Sequence, residues 1–325
     1  MPDPAQRVAL GRTELQVTRL GLGGAPLGNL FTAISDTQAQ ATVDAAWAAG
    51  FRWFDTAPLY GHGLSEARLG AALRRRPRGE FVLATKVGRR LEPGRETETV
   101  YADVPPLRPV FDFSYDGTLQ VLDESLTRLG LDRVDVVHVH DPDDHESEAV
   151  AGAFRALRRL RDERVIAAVG AGMNQSAMLT RFVQRGLVDC VLLAGRYSLL
   201  DQAGLVDLLP AARAAGVAVI AAGVFNSGLL ADPRPGATFN YGPAPDELIA
   251  RAQRLAAVCA RHGAPLRAAA LQFPTGHPAV VTVLTGVRSP AEVEENARLF
   301  ATSIAPELWA ELQRCGLVDP AAPTP

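Results

Sequence analysis

The sequence predicts an α/β fold: a (β/α)8 TIM barrel with one extra C-terminal helix, spanning residues 1–325 as a single domain. Three observations predict it. Short runs rich in Val, Ile, Leu and Phe alternate with helical stretches, the pattern of βαβ units feeding a parallel sheet. Eight such runs occur, the strand number of this barrel. No break in composition divides the chain, which disfavours the runner-up, an open doubly wound sheet with a second domain.

The expected strands are residues 20–23, 51–55, 81–86, 134–140, 165–171, 188–193, 217–222 and 280–284. The expected helices lie between them. One runs over 36–49 and stops at Gly50, a residue suited to a helix C-cap. The next has Ser65 as its N-cap and ends before Pro77. Another covers 115–130, where Leu119, Leu122, Leu126 and Leu129 recur at helical spacing. Others cover 147–161, 174–185, a stretch ending at Ala215, 246–262, 265–273, 290–302 and the extra helix 306–315. Segments 88–113 and 223–245 read as loops, and loops of that length in compact domains usually serve function. Residues 320–325 are expected to fray.

Composition excludes several classes of protein. With 47% hydrophobic and 21% charged residues the chain can bury a large core. A net charge of −3 with no basic stripe gives no support for a nucleic-acid partner, and Arg74-Arg75-Arg76 reads as a solvated helix end. Cys190, Cys259 and Cys315 form no CxxC pair, which argues against a disulfide framework or a zinc site and suits a reducing compartment. No apolar run reaches the ~18 residues of a membrane span. The expectation is a cytoplasmic protein, a monomer or weak homo-oligomer, acting on a small molecule without nucleic-acid or membrane partners.

Lys86 is the only lysine among 33 basic side chains; the others are arginine. Arginine does not give up its proton, whereas a buried lysine shifts its pKa readily. A lone lysine closing an apolar strand is therefore a candidate for chemistry. Catalytic groups of such barrels lie at the C-terminal strand ends. Those ends carry Asp55, Lys86 and His140 on three consecutive strands, with Tyr60 in the loop after Asp55. Adjacent strands are ~4.8 Å apart, so the groups come within reach of one another. A phenol has a pKa of about 10. An adjacent ammonium is expected to lower it, with Asp55 as counter-ion and His140 bonding a substrate oxygen. The product is a proton donor beside a carbonyl, or a proton acceptor beside an alcohol.

A second reading is a metal-dependent hydrolase on the same barrel, using the His138/His140 pair and the nearby Asp141, Asp143, Asp144 and His145. Against it, none of His62, His262 and His277 falls at the end of strand five, six or eight. Metal ligands are accordingly expected to be absent.

Phe54-Asp55-Thr56-Ala57-Pro58-Leu59-Tyr60-Gly61, Ala84-Thr85-Lys86-Val87-Gly88 and the run from Asp135 to His140-Asp141 resemble the tetrad motifs of the aldo-keto reductases. The resemblance extends over almost the whole chain. It is strongest to the subgroup of D-threo-aldose 1-dehydrogenases, L-fucose dehydrogenases and pyridoxal 4-dehydrogenases, through Gly170-Ala171-Gly172-Met173-Asn174-Gln175 and Val224-Phe225-Asn226-Ser227-Gly228-Leu229-Leu230. It implies NAD or NADP as cofactor, hydride transfer at the nicotinamide and Tyr60 as general acid or base. It implies cofactor contacts from Gly24, Gly172, Met173, Asn174, Phe225, Asn226, Ser227, Gly228, Leu229, Gly286, Arg288, Glu292, Glu295 and Asn296. Substrate walls are expected from Asn29-Leu30-Phe31, the 88–113 segment and the 225–241 segment, with Leu30, Phe31, Phe113 and Tyr241 singled out. The chain departs from the family pattern where Ala194 replaces a Gln and Ala222 an aromatic; Tyr197 or Phe225 is the expected substitute for that aromatic. The resemblance leaves open a nucleotide-binding family member without turnover, against which the intact tetrad argues.

Overall fold

The structure, a computed structural model, describes residues 2–96 and 98–325. Eight parallel strands close into a barrel: Leu20–Gly23, Trp53–Asp55, Val82–Val87, Val136–His140, Ala168–Met173, Cys190–Ala194, Ala218–Ala222 and Val280–Gly286. Each pairs with its successor along the chain, and the eighth returns to the first through Gly286 and Gly23. Helices fill the connections, and local chemistry sets their ends. Helix Asp36–Ala48 starts where Ser35 Oγ accepts from the Gln38 amide at 3.1 Å. Helix Tyr115–Leu129 is capped by Ser114 and stopped by Gly130 in the left-handed region at φ 61°.

Side chains alternate along each strand, so the barrel separates two apolar cores. The larger joins strands to helices and includes Phe54, Leu83, Val137, Val169 and Val219. The smaller fills the barrel and includes Trp53, Val82, Ala84, Val136, Cys190 and Ile220. Trp53 fits inside because residue 21 is glycine; a Cβ there would lie 2.3 Å from the Trp53 ring. Toward the C-terminal strand ends the inward positions turn from apolar to ionisable, at Asp55, Lys86, His138 and His140.

The structure differs from the sequence expectations in definite places. The N-terminal segment forms a hairpin, Arg7–Ala9 with Gln16–Thr18, whose neighbours Leu10 and Val17 join the inner core. Segment 88–113 is not a plain loop: Arg89–Pro93 pairs antiparallel with Leu107–Phe111. Its sequence hides this because the cross-strand support is ionic, with Glu92 2.7 Å from Arg108 on the facing strand. Segment 223–245 likewise holds a 3-10 turn, Asn226–Gly228, and a small hairpin, Thr238–Phe239 with Gly242–Pro243. Ser65 does not cap its helix. The helix begins at Leu64 after Gly63, and Ser65 Oγ instead donates to the Gly24 carbonyl at 2.7 Å. Residues 320–325 pack rather than fray: Ala322 is buried, and the Gln313 side-chain amide donates to its carbonyl at 3.1 Å. Among the described residues no helix is long and apolar enough to cross a membrane.

Candidate active site

The mouth of the barrel is assembled from backbone contacts outward. Asp55 ends the second strand, and its carbonyl accepts from the Gly24 amide at 2.7 Å. The chain then turns so tightly at Tyr60 that the Gly28 and Gly61 backbones touch. A Cβ on Gly28 would lie 2.5 Å from the Tyr60 carbonyl carbon, and one on Gly61 2.2 Å from the Gly28 carbonyl oxygen. This contact fixes where the Tyr60 side chain starts.

Lys86 ends the third strand with its ammonium buried. Nζ donates to Asp55 Oδ1 at 2.8 Å, to Oδ2 at 2.7 Å and to the Thr56 carbonyl at 2.9 Å. An ammonium has three protons, and these contacts use all of them. Nζ also lies 4.5 Å from the centre of the Tyr60 ring. The His140 ring meets the Tyr60 ring edge to face at 5.8 Å. The four residues singled out at the strand ends are thus brought together.

Burial pushes the Asp55 carboxyl up and the Lys86 ammonium down, and each opposes the other's shift by attraction. Tyr60 departs from expectation. Its pKa is held well above the phenol range, first by burial and then by the Asp55 charge. Lys86 spends its charge on Asp55, so no free cation offsets the burial of the phenol. Tyr60 is therefore protonated at neutral pH. His140 is held well below the imidazole range by burial and by the cations Arg89 and Lys86, which makes it neutral.

These groups open onto a cavity of about 330 Å³, lined also by Gly172, Met173, Asn174, Leu192, Ala194 and Tyr241. A second depression, about 260 Å³, lies at the opposite end of the barrel beside Arg12 and Arg213; its lining carries no acid, histidine or tyrosine that could exchange a proton. Phe31 stands at the mouth, its ring 6.2 Å from that of Tyr241, and Leu30 bridges to Tyr101. Phe113 does not line the cavity. It is buried, with Phe111 stacked on it at 6.0 Å and His145 tilted against it at 5.4 Å.

Tyr197 does not replace the missing aromatic. It is buried against Phe273 at 5.2 Å. Phe225 does not line the cavity either, its ring lying beneath the Arg267 guanidinium at 5.8 Å. Asn226 is engaged internally, accepting from Ser198 Oγ at 2.7 Å and donating to the Gly195 carbonyl at 3.2 Å. Ser227 receives the Tyr241 amide at 3.1 Å, Leu229 is buried, and Gly228, at φ 104°, faces open space.

Gly286 ends the eighth strand. Beyond it, Ser289 caps helix Pro290–Phe300, and Glu292 folds back to accept the Arg288 amide at 2.8 Å. Glu295 pairs with Arg267 at 2.8 Å. Asn296 is buried with its Oδ1 unpartnered. An orphaned acceptor beside a capped helix start fits the amino group and phosphates of a dinucleotide.

Arg89, Glu96, Glu98 and Tyr101 lie in the 88–113 segment, which the sequence offers as a substrate wall without singling them out. Tyr101 packs 6.4 Å from the Tyr60 ring. Arg89 holds Asp141, weighed only as a metal ligand, at 3.2 Å. The one available signal was Tyr101, an aromatic in an otherwise polar segment. The metal-dependent reading finds no ligand set: among the described residues no three His, Cys, Asp or Glu side chains converge to hold an ion. His138 lies deeper in the barrel, both ring nitrogens unpartnered.

A closed parallel barrel with Asp55, Lys86, Tyr60 and His140 gathered at its C-terminal mouth is an arrangement that suits an oxidoreductase. The chain matches the Aldo/keto reductase family over residues 19–316 and belongs to it. It is 44% identical to a D-threo-aldose 1-dehydrogenase of a Pseudomonas species, covering 96% of both chains. It is 43% identical to a pyridoxal 4-dehydrogenase of Microbacterium luteolum, covering 97% of this chain and 98% of that one. Among solved structures it resembles the holo form of an aldo-keto reductase from Bacillus halodurans, with 27% identity, a TM-score of 0.77 and 98% of both chains covered.

Proposed function

We propose that this enzyme oxidises the hemiacetal hydroxyl of a D-threo-aldose, such as L-fucose or D-arabinose, to the lactone, with NAD as the oxidant. The observation that carries the reading is the Asp55–Lys86–Tyr60–His140 cluster at the mouth of a cavity, in a chain with such relatives. A nicotinamide, when bound, would supply the hydride acceptor and a positive charge. Once its own proton has left to solvent, Tyr60 Oη takes the proton of the substrate hydroxyl, and neutral His140 orients the same oxygen. Lys86 and Asp55 hold the Tyr60 ring in place from beneath. Because burial raises Tyr60, oxidation should quicken as pH rises, whereas the reverse reduction, which needs the protonated phenol, should stay flat across neutral pH.

Gly172, Met173 and Asn174 are suited to hold the nicotinamide end, and the turn around Gly228 together with Arg288 and Asn296 to hold the rest. NAD is favoured over NADP by Glu292. Its carboxylate lies 3.8 Å from the Arg288 guanidinium, so the cation proposed to meet a 2′-phosphate is already faced by an acid.

Pyridoxal is the second substrate to test, since the two relatives are equally similar. The experiment follows absorbance of the reduced cofactor with L-fucose, D-arabinose and pyridoxal, each with NAD and NADP. Turnover of an aldose with NAD is expected. Silence across the panel refutes the reading, and a preference for NADP refutes the role given to Glu292.

A further inference from the structure

The charges around the cavity do not balance. Lys86 is matched by Asp55 and Arg89 by Asp141. Two more carboxylates, Glu96 and Glu98, stand in the cavity wall. Among the described residues neither has a lysine or arginine partner. Glu96 is not a loose surface acid. Its Oε2 meets Nε2 of His62 at 3.0 Å, and the His62 side chain is fully buried beside the Tyr101 ring. His62 itself sits in the left-handed region at φ 52°, two residues after Tyr60. The turn that places the phenol therefore also places the clasp on Glu96.

We propose that the His62-held Glu96, with Glu98, is a charge filter that admits uncharged substrates and rejects anionic ones, so that the enzyme takes free sugars or free aldehydes and refuses their carboxylated or phosphorylated counterparts. An anion entering the cavity meets the carboxylates of Glu96 and Glu98, and among the described lining residues the one cationic side chain, Lys86, is already paired with Asp55. At contact range, screened by a partly solvated mouth, like-charge repulsion of this kind amounts to about tenfold or more in kcat/KM. The lactone product is neutral and can occupy the cavity; the acid formed when it opens in water is turned away. The filter rests on the aldose reading only for its choice of sugar, and the test is built to separate the two.

The test uses the full chain with two matched pairs. In reduction, 4-nitrobenzaldehyde is compared with 4-carboxybenzaldehyde. In oxidation, L-fucose is compared with L-galacturonate, which shares its ring and differs at C6. The readout is the neutral-to-anionic ratio of kcat/KM in the natural enzyme and in the Glu96→Gln/Glu98→Gln double variant. The ratio is expected to fall about tenfold in the variant, and by a similar amount in the natural enzyme at 1 M salt, where the Debye length is about 3 Å. A ratio unchanged by the double substitution overturns the filter, whatever its starting value. Charge selection among the benzaldehydes with no sugar turnover keeps the filter and removes the aldose reading. Sugar turnover with an unchanged ratio does the reverse.

Discussion

The strand ends at Asp55, Lys86 and His140 carry three ionisable groups packed around one phenol, while those at Gly172, Ala194, Ala222 and Gly286 carry none. Both halves belong to one continuous sheet, so the difference lies in side chains alone. On the first half the ion pair is saturated, with three donated bonds from Lys86 to Asp55 and Thr56. On the second half the inward atoms are a methyl group or nothing. The first half can hold a proton at a defined atom. The second offers room for a flat ring that needs space more than partners. On the proposed reading, a barrel mouth divided in this way keeps the reacting groups rigid and leaves the cofactor to be gripped further out, by loops and the start of helix Pro290–Phe300.

The largest way to break this division is at Lys86. Lys86→Met removes the partner of a buried carboxylate and should cost about 3–5 kcal/mol of stability, read as a large fall in Tm, together with nearly all turnover. Lys86→Arg keeps the charge but cannot place three bonds on Asp55 and Thr56. It should lose about a hundredfold in kcat, measured by cofactor absorbance, and full activity would remove the argument from the missing lysines. On the opposite half, Ala222→Trp fills the empty side. It should raise the KM for cofactor about tenfold while leaving the Tyr60 surroundings intact; a normal cofactor KM would place the nicotinamide elsewhere.

Below the catalytic layer, His138 gives a smaller and pH-dependent test. Burial, then the Lys86 charge, holds its pKa down to about 3, so it stays neutral in the fold. An unfolded histidine titrates near 6.5. The unfolded state therefore binds the extra proton as pH falls below that value, and stability is lost progressively between about 6.5 and 3. His138→Leu should match the natural enzyme at pH 7 and be less acid-sensitive by about 2 kcal/mol at pH 5, followed by thermal unfolding at both pH values. Equal acid sensitivity would contradict a neutral buried His138. The smallest effect lies outside both halves: Ser114→Ala should cost about 1 kcal/mol through its helix cap, with kcat unchanged.

The barrel was legible because each strand is an apolar run closed by a turn signal, and because composition singled out Lys86. Asp55, Tyr60 and His140 followed from their positions relative to strand ends. Three features were not legible, each for a physical reason. The hairpin Arg89–Pro93 with Leu107–Phe111 is held by Arg–Glu pairs and interrupted by prolines, so it lacks the alternation that marks a strand. Tyr101 and Glu96 reach the mouth only once that segment folds over it. The direction of the Tyr60 shift could not be read either. The sequence pairs Lys86 with Asp55, but it does not show that the phenol beside them is buried, which is the larger cause of the shift.

Tyr60→Phe addresses the central claim most directly, because it removes one oxygen and leaves the ring packed against Lys86 and His140. Cofactor binding by fluorescence titration, followed by turnover of the best substrate from the panel, separates holding from chemistry. The account predicts a cofactor Kd within about twofold of the natural enzyme and a loss of about a hundredfold or more in kcat. A variant that binds cofactor and turns over substrate within about threefold of the natural enzyme would contradict it.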